Sequence, residues 1–179
     1  MQTYISLLRG INVSGKNKIL MVDLKTIYEN IGLSEVHTYI QSGNVIFKAD
    51  YVDKKNIAES ISEAIFQKYG FQISVFVESV EEIERLMALN PIKEMEQQDY
   101  KRVFFSLLSQ TPKQDLQEKL AQISYLPDEY YIVENCIFWK LVVASNESKL
   151  SNNFFESKLK VVATTRNWNT MLTLIQLSK

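Results

Sequence analysis

Short apolar runs alternate with stretches of helical period along this chain, and their order predicts its architecture. Thr3–Arg9 is apolar and gives way to the polar, glycine-containing stretch Gly10–Lys18, so a strand is expected to run into a long loop. Leu20, Leu24, Ile27, Tyr28 and Ile31 then recur at helical spacing, with Gly32 where a left-handed C-terminal cap belongs. Val36–Ile40 and Asn44–Phe47 are β-branched and aromatic runs around Gln41-Ser42-Gly43, which predicts an antiparallel hairpin. Ile57, Ile61, Ala64, Ile65 and Tyr69 mark a second helix between Asp53 and Gly70. Phe71, Ile73, Val75 and Val77, alternating with Gln72, Ser74 and Phe76, predict a fourth strand.

The same order returns without an obvious sequence repeat. Val103–Leu108 reads as a strand, and Pro112 opens a helix carrying Leu116, Leu120 and Ile123. Tyr130–Val133 and Ile137–Val143 form a hairpin around Glu134-Asn135-Cys136, followed by a helix near Ser151–Leu159 and a strand at Val161–Thr164. A last helix, Trp168–Leu177, places Trp168, Met171, Leu172 and Ile175 on one face, with Thr165 or Asn167 as its cap. The expected fold is therefore α+β: two ferredoxin-like βαββαβ halves, residues 1–78 and 102–179, the second carrying the extra C-terminal helix. An acidic linker helix and loop, 79–101, joins them, and its Glu81, Glu82 and Glu84 read as a solvated helix face rather than a metal site.

Composition narrows the function classes. With 46% hydrophobic and 23% charged residues over 179 positions, the chain can bury a full core without disulfides. Lysines and arginines total 20 against 21 acids, so no basic excess marks a dedicated nucleic-acid binder, and nucleic acid is not the expected partner. One cysteine, Cys136, and one histidine, His37, leave no disulfide, cysteine-rich zinc site or two-histidine metal site, so neither metal nor cofactor is expected. A reducing cytoplasm suits such a chain. No apolar run approaches the ~20 residues of a membrane helix, and the first residues lack a signal-peptide layout. Nothing in the pattern sets an oligomeric state.

Three blocks carry a family resemblance. Leu8-Arg9-Gly10-Ile11-Asn12-Val13-Ser14-Gly15-Lys16-Asn17-Lys18, Thr38-Tyr39-Ile40-Gln41-Ser42-Gly43-Asn44-Val45 and Thr164-Thr165-Arg166-Asn167-Trp168-Asn169-Thr170 stand in that order. Together they resemble a widespread bacterial family, domain-of-unknown-function family 1697. Its members commonly have Gly where Ser14 stands and Pro where Leu20 stands, differences in loop flexibility and helix start that leave the polar groups in place. The resemblance implies a paired ferredoxin-like fold in a cytoplasmic bacterial protein and brings no activity with it.

The candidate site follows from topology. In a ferredoxin-like sheet the first and third strands are antiparallel neighbours, so the end of the first, Arg9-Gly10, should lie beside the start of the third, Asn44. One rim would then gather Arg9, Asn12, Lys16, Asn17, Lys18, Gln41, Ser42 and Asn44. From Met1 to Leu20 there are three basic residues and no acid, which makes the rim locally positive and an anionic small molecule its candidate partner. Asn, Ser and Gly are also what a loop and a hairpin need for themselves, but a nine-residue polar connection is longer than such folds usually require. Arg166, Asn167 and Asn169, at the start of the last helix, form a second candidate anion half-site.

Two other function classes stay open on sequence. A non-catalytic interaction or regulatory protein needs none of this chemistry. RNA or single-stranded nucleic-acid binding would use a strand face bearing Tyr4, Leu8, Tyr39, Ile46 and Phe76 as a stacking platform, although no glycine-aromatic RNA-binding string occurs from Asn44 to Lys48. His37 has no recognisable acid or nucleophile beside it, Cys136 has nothing nearby in sequence to lower its pKa, and no G-x-S-x-G elbow is present.

Overall fold

The computed structural model describes residues 1–50, 53–93 and 95–179, so Glu94 in the predicted linker lies outside the described residues. The chain forms two compact units, Met1–Glu84 with Thr173–Lys179, and Arg85–Leu172. Among the described residues there are two four-stranded antiparallel sheets and six α-helices.

In the first unit, β1 (Gln2–Leu8), α1 (Met21–Asn30), β2 (Ser34–Tyr39), β3 (Asn44–Ala49), α2 (Lys54–Tyr69) and β4 (Val75–Ser79) build a sheet of order β2-β3-β1-β4. Alternation along β1 separates two buried sets. Tyr4 and Leu8 join Tyr28, Val45, Phe47, Ile61 and Ile65 in the core beneath α1 and α2, whereas Ile5 and Leu7 point to the opposite face and are also buried. Ser6 lies on the helical side, where its hydroxyl meets the buried Tyr28 hydroxyl at 2.6 Å; burial pushes the Tyr28 phenol well above its usual range. The helix ends follow their local chemistry. Asp53 caps α2 by accepting from the Lys55 N–H at 2.9 Å, and α2 ends at Gly70 with φ +75°. After α1, the Gly32 N–H donates to Glu29 O and the Leu33 N–H to Tyr28 O, the paired bonds of a Schellman motif.

The second unit repeats the order with β5 (Val103–Leu108), α4 (Gln114–Ala121), β6 (Glu129–Val133), β7 (Cys136–Lys140), α5 (Asn152–Leu159) and β8 (Ala163–Asn167), giving β6-β7-β5-β8. Its helix-side core gathers Leu108, Ile137, Trp139, Phe155, Leu159 and Ala163. Ser106 takes the place in β5 that Ser6 takes in β1, accepting from Trp139 Nε1 at 2.9 Å and meeting the Thr165 hydroxyl at 2.7 Å. α3 (Val80–Ala88) follows β4, and α6 (Trp168–Leu177) follows β8. The linker glutamates find partners: Glu81 accepts from Gln2 Nε2 at 3.1 Å, and Glu84 pairs with Lys179 at 3.1 Å.

Several sequence expectations shift. The fourth strand begins at Val75, so Phe71–Ser74 lies outside the ladder. The eighth strand runs to Asn167, which puts Arg166 inside the sheet instead of beyond it. Cys136 opens β7 and is buried, its thiol donating to Val133 O at 2.9 Å, while the hairpin turn reduces to Glu134 and Asn135. That strand stops at Lys140, short of the expected Val143. Ile123 lies past the end of α4 and is half exposed. Tyr4 and Leu8 do not share a face with Ile46 and Phe76, which pair with Ile5 and Leu7. Tyr4 and Ile46 are only 2% and 3% exposed, so those residues offer no open platform on which a base could stack.

Candidate anion-binding rim

The β1–β3 ladder places Leu7 opposite Asn44, and the Leu8 N–H donates to Gly43 O at 2.8 Å, so Arg9 leaves the sheet beside the β2–β3 hairpin. The Arg9 N–H continues to Ser74 O at 2.9 Å. The loop then turns repeatedly through left-handed backbone. Gly10, Asn12, Ser14, Gly15 and Asn17 all have positive φ, and Ser14-Gly15 are the central pair of a tight turn in which the Lys16 N–H donates to Val13 O at 2.9 Å. Positive φ at both central positions is the signature of a type I′ turn. Asn suits φ +55° and +47° at positions 12 and 17 because it is the side-chain-bearing residue that tolerates this region best.

Asn12 holds the loop in place. Its Nδ2 donates to Ile19 O at 3.0 Å and to Gln41 O at 2.9 Å, while its Oδ1 accepts from the Ile19 N–H at 2.9 Å. One side chain thus closes the loop on itself and ties it to the hairpin. Asn17 Nδ2 donates to Gly10 O at 3.1 Å, bridging the loop's ends. Asn44 is fully buried and donates to Tyr39 O at 3.0 Å and to Ser42 Oγ at 2.9 Å, bracing the hairpin from inside. The polar residues that sequence assigned to ligand binding are therefore largely committed to backbone groups of the loop and hairpin.

The cations are in a different position. Lys16 and Lys18 are exposed, and among the described residues neither ammonium has an ion-pair partner. Lys18, Asn12, Gly15 and Gln41, with Ile19, Leu20 and Met21, line an open cleft of about 350 Å³ between the loop and the start of α1. α1 begins there without a side-chain cap, since Leu20 occupies the N-cap position. The acid of its first turn, Asp23, is engaged elsewhere: Tyr69 donates to it at 2.7 Å and Lys68 pairs with it at 3.0 Å. The Tyr69 hydrogen bond first, and Lys68 second, hold its carboxyl below the usual range. A depressed carboxyl pKa stabilises the fold above the ordinary aspartate pKa and loses that contribution as pH falls. Asp23→Asn is therefore expected to narrow the stability difference between neutral and acid pH, as read by melts between pH 7 and pH 3.

Of the predicted residues, Asn12, Lys18 and Gln41 line the cleft, Arg9 and Lys16 stand on the adjoining loop, and Asn17, Ser42 and Asn44 support it from behind. Arg166, Asn167 and Asn169 belong to the other unit. Asn167 caps α6, its Oδ1 accepting from the Thr170 N–H at 2.8 Å, and Asn169 is exposed in the first turn. Arg166 is only 9% exposed and donates to Thr164 Oγ1 at 3.1 Å and Thr165 O at 2.8 Å; burial lowers its pKa to about 10, which leaves it cationic at neutral pH. Sequence reasoning missed the apolar lining, Ile19, Leu20 and Met21. The one signal for it was an apolar residue where a capping Ser or Asp would be expected, directly before the helix.

The family model for "Protein of unknown function (DUF1697)" matches residues 1–138, which takes in the Met1–Glu84 part of the first unit and most of the second. The chain belongs to the DUF1697 family. Its loop and hairpin, and so the whole of the cleft, lie within the DUF1697 match. Among solved structures, the conserved bacterial protein SP0830 from Streptococcus pneumoniae is similar at 28% identity and a TM-score of 0.71, covering 99% of each chain. No curated protein matches the sequence. Among the described residues, no group of three or more His, Cys, Asp or Glu side chains is placed to hold a metal ion, and no helix is long and apolar enough to cross a membrane.

Proposed function

We propose that the chain is a pair of ferredoxin-like halves whose first half binds a phosphorylated or carboxylated small molecule at the Gly10–Lys18 rim. The strand orders β2-β3-β1-β4 and β6-β7-β5-β8 support the fold assignment, and a single buried thiol suits a reducing cytoplasm. The observation that carries the binding reading is the pair Lys16 and Lys18, without acidic partners among the described residues, on a loop held by Asn12 at the edge of an open cleft. A loop so held spares the ligand the ordering cost that weakens binding to mobile lysines. The uncapped N–H groups of α1 add a partial positive charge at the same edge.

The magnitudes predict modest affinity for a bare anion. An exposed ion pair contributes about 0–1 kcal/mol and a helix terminus about 0.3–1 kcal/mol, so Kd in the millimolar range and strong salt sensitivity are expected. The residues that line the cleft include no histidine, cysteine or carboxylate, which supports a binding role over proton-transfer chemistry. Thermal-shift measurements at low salt with phosphate, citrate, sugar phosphates and nucleotides test the reading. At ten times Kd the stabilisation should be about 1.4 kcal/mol, or roughly 3–6 °C. Lys16→Gln with Lys18→Gln should abolish the response, and stabilisation that survives this double substitution would refute the assignment.

A further inference from the structure

Resting on that reading, we infer that the anion this cleft selects is amphiphilic: a small carboxylate or phosphate carrying an aliphatic chain, with the chain against Ile19, Leu20 and Met21. Leu20 is the chief observation. It stands at the α1 N-cap with extended backbone, φ −74° and ψ +136°, where Ser, Thr, Asp or Asn would accept a hydrogen bond from the first turn, and it makes none. It is also 66% exposed, so burial in the core does not account for it. The position therefore forgoes a cap and shows a large apolar group to water while lining the cleft, and a rule broken locally without a gain to the fold points to a ligand contact.

The surroundings repeat this. Val13, next to Asn12, is 58% exposed, Val22, next to Met21, is 69% exposed, and Ile40, next to Gln41, is 50% exposed. Ile40 is moreover a β-branched residue at φ +49°, a conformation in which such side chains are strained. Exposed apolar residues thus stand next in sequence to three residues that line the cleft, while Ile19, Leu20 and Met21 line it together with Lys18, and the complement of that lining is an anion with an aliphatic extension. The cleft's volume of about 350 Å³ falls at the small-molecule end of ligand sites.

The test is titration calorimetry of the full chain with acetate, hexanoate, octanoate, inorganic phosphate and 1-hexanol. For a chain about half buried, affinity should rise about twofold per methylene, or roughly 60-fold from acetate to octanoate. Hexanol should bind far more weakly than hexanoate. Leu20→Ser should flatten the chain-length dependence while melting at or above the parent, because it installs a capping side chain; Ile40→Asn, which suits a positive φ, gives a second folded variant with the same expected loss. Equal affinity for acetate and octanoate, with the lysine dependence retained, would overturn the amphiphile and leave the anion site standing. Hexanol binding as well as hexanoate, or no binding by any probe, would remove both. Retention on anionic phospholipid vesicles without saturable octanoate binding would replace the small molecule with a membrane surface and overturn the inference.

Discussion

Gly43→Ala is expected to destabilise the protein by about 2–4 kcal/mol, the larger part of it steric. Gly43 has φ +74°, and a Cβ built there would lie 2.7 Å from Leu8 Cβ, 2.8 Å from Ile11 Cδ1 and 3.0 Å from Ile11 Cγ1. Leu8 Cβ is fixed to the backbone of β1 and cannot rotate aside, and Gly43 O accepts from the Leu8 N–H, so the hairpin cannot back away without giving up a ladder bond. Left-handed strain adds about 1–2 kcal/mol, partly offset by the lower unfolded-state entropy of Ala. Gly15→Ala separates the two contributions, because Gly15 has φ +76° but nothing within 4 Å of its Cβ position. It should cost only the strain. Thermal melts followed by circular dichroism should place Gly43→Ala roughly 5–15 °C below the parent and Gly15→Ala between them. Tryptophan fluorescence is the wrong probe, since Trp139 and Trp168 both lie in the second unit. Equal melting temperatures for the two variants would show that the loop and hairpin are not in the close contact described.

Asn12→Ala should cost about 2–4 kcal/mol and silence the anion response together. The substitution deletes three hydrogen bonds, two of them to the N–H and O of Ile19, a residue 3% exposed whose backbone groups would lose their partner. It also puts Ala at φ +55°, where Asn is better tolerated. Asn12→Asp is the informative companion. It keeps the acceptor for the Ile19 N–H, loses both donors and adds a negative charge to a cleft that Lys18 also lines. Its stability should fall between those of the parent and Asn12→Ala, while its anion binding should vanish. Near-parental stability and binding in Asn12→Ala would mean that the loop does not depend on this side chain.

Much of this architecture was legible in the sequence because periodicity and caps are local. Gly32 and Gly70 marked helix ends, Gln41-Ser42-Gly43 marked the hairpin, and antiparallel topology alone brought the end of β1 beside that hairpin, although it is Leu7 and not Arg9 that stands opposite Asn44. What escaped depended on partners distant in sequence. Spacing counted Leu20 as part of the α1 stripe, but the helix starts one residue later and turns that position outward. Tyr4, Leu8, Ile46 and Phe76 could not be sorted by face, because each strand's alternation gives a parity while the register between strands decides which parities coincide. A further irregularity in the β2–β3 pairing lies between Ser34 and His37. The asparagines were recognised as site residues by type, yet Asn12, Asn17 and Asn44 serve backbone carbonyls that folding would otherwise leave short of donors. That division of labour, asparagines shaping the rim while Lys16 and Lys18 have no ion-pair partner among the described residues, became readable only with the hydrogen bonds.

Amide chemical-shift mapping of the labelled full chain, titrated with octanoate and separately with inorganic phosphate, bears most directly on the cationic cleft. Saturable shifts confined to Gly10–Met21 and Ile40–Asn44, reduced at high salt and lost with Lys16→Gln and Lys18→Gln, are the predicted result. Shifts centred on Arg166–Asn169, or none above those of a chloride control, would contradict it.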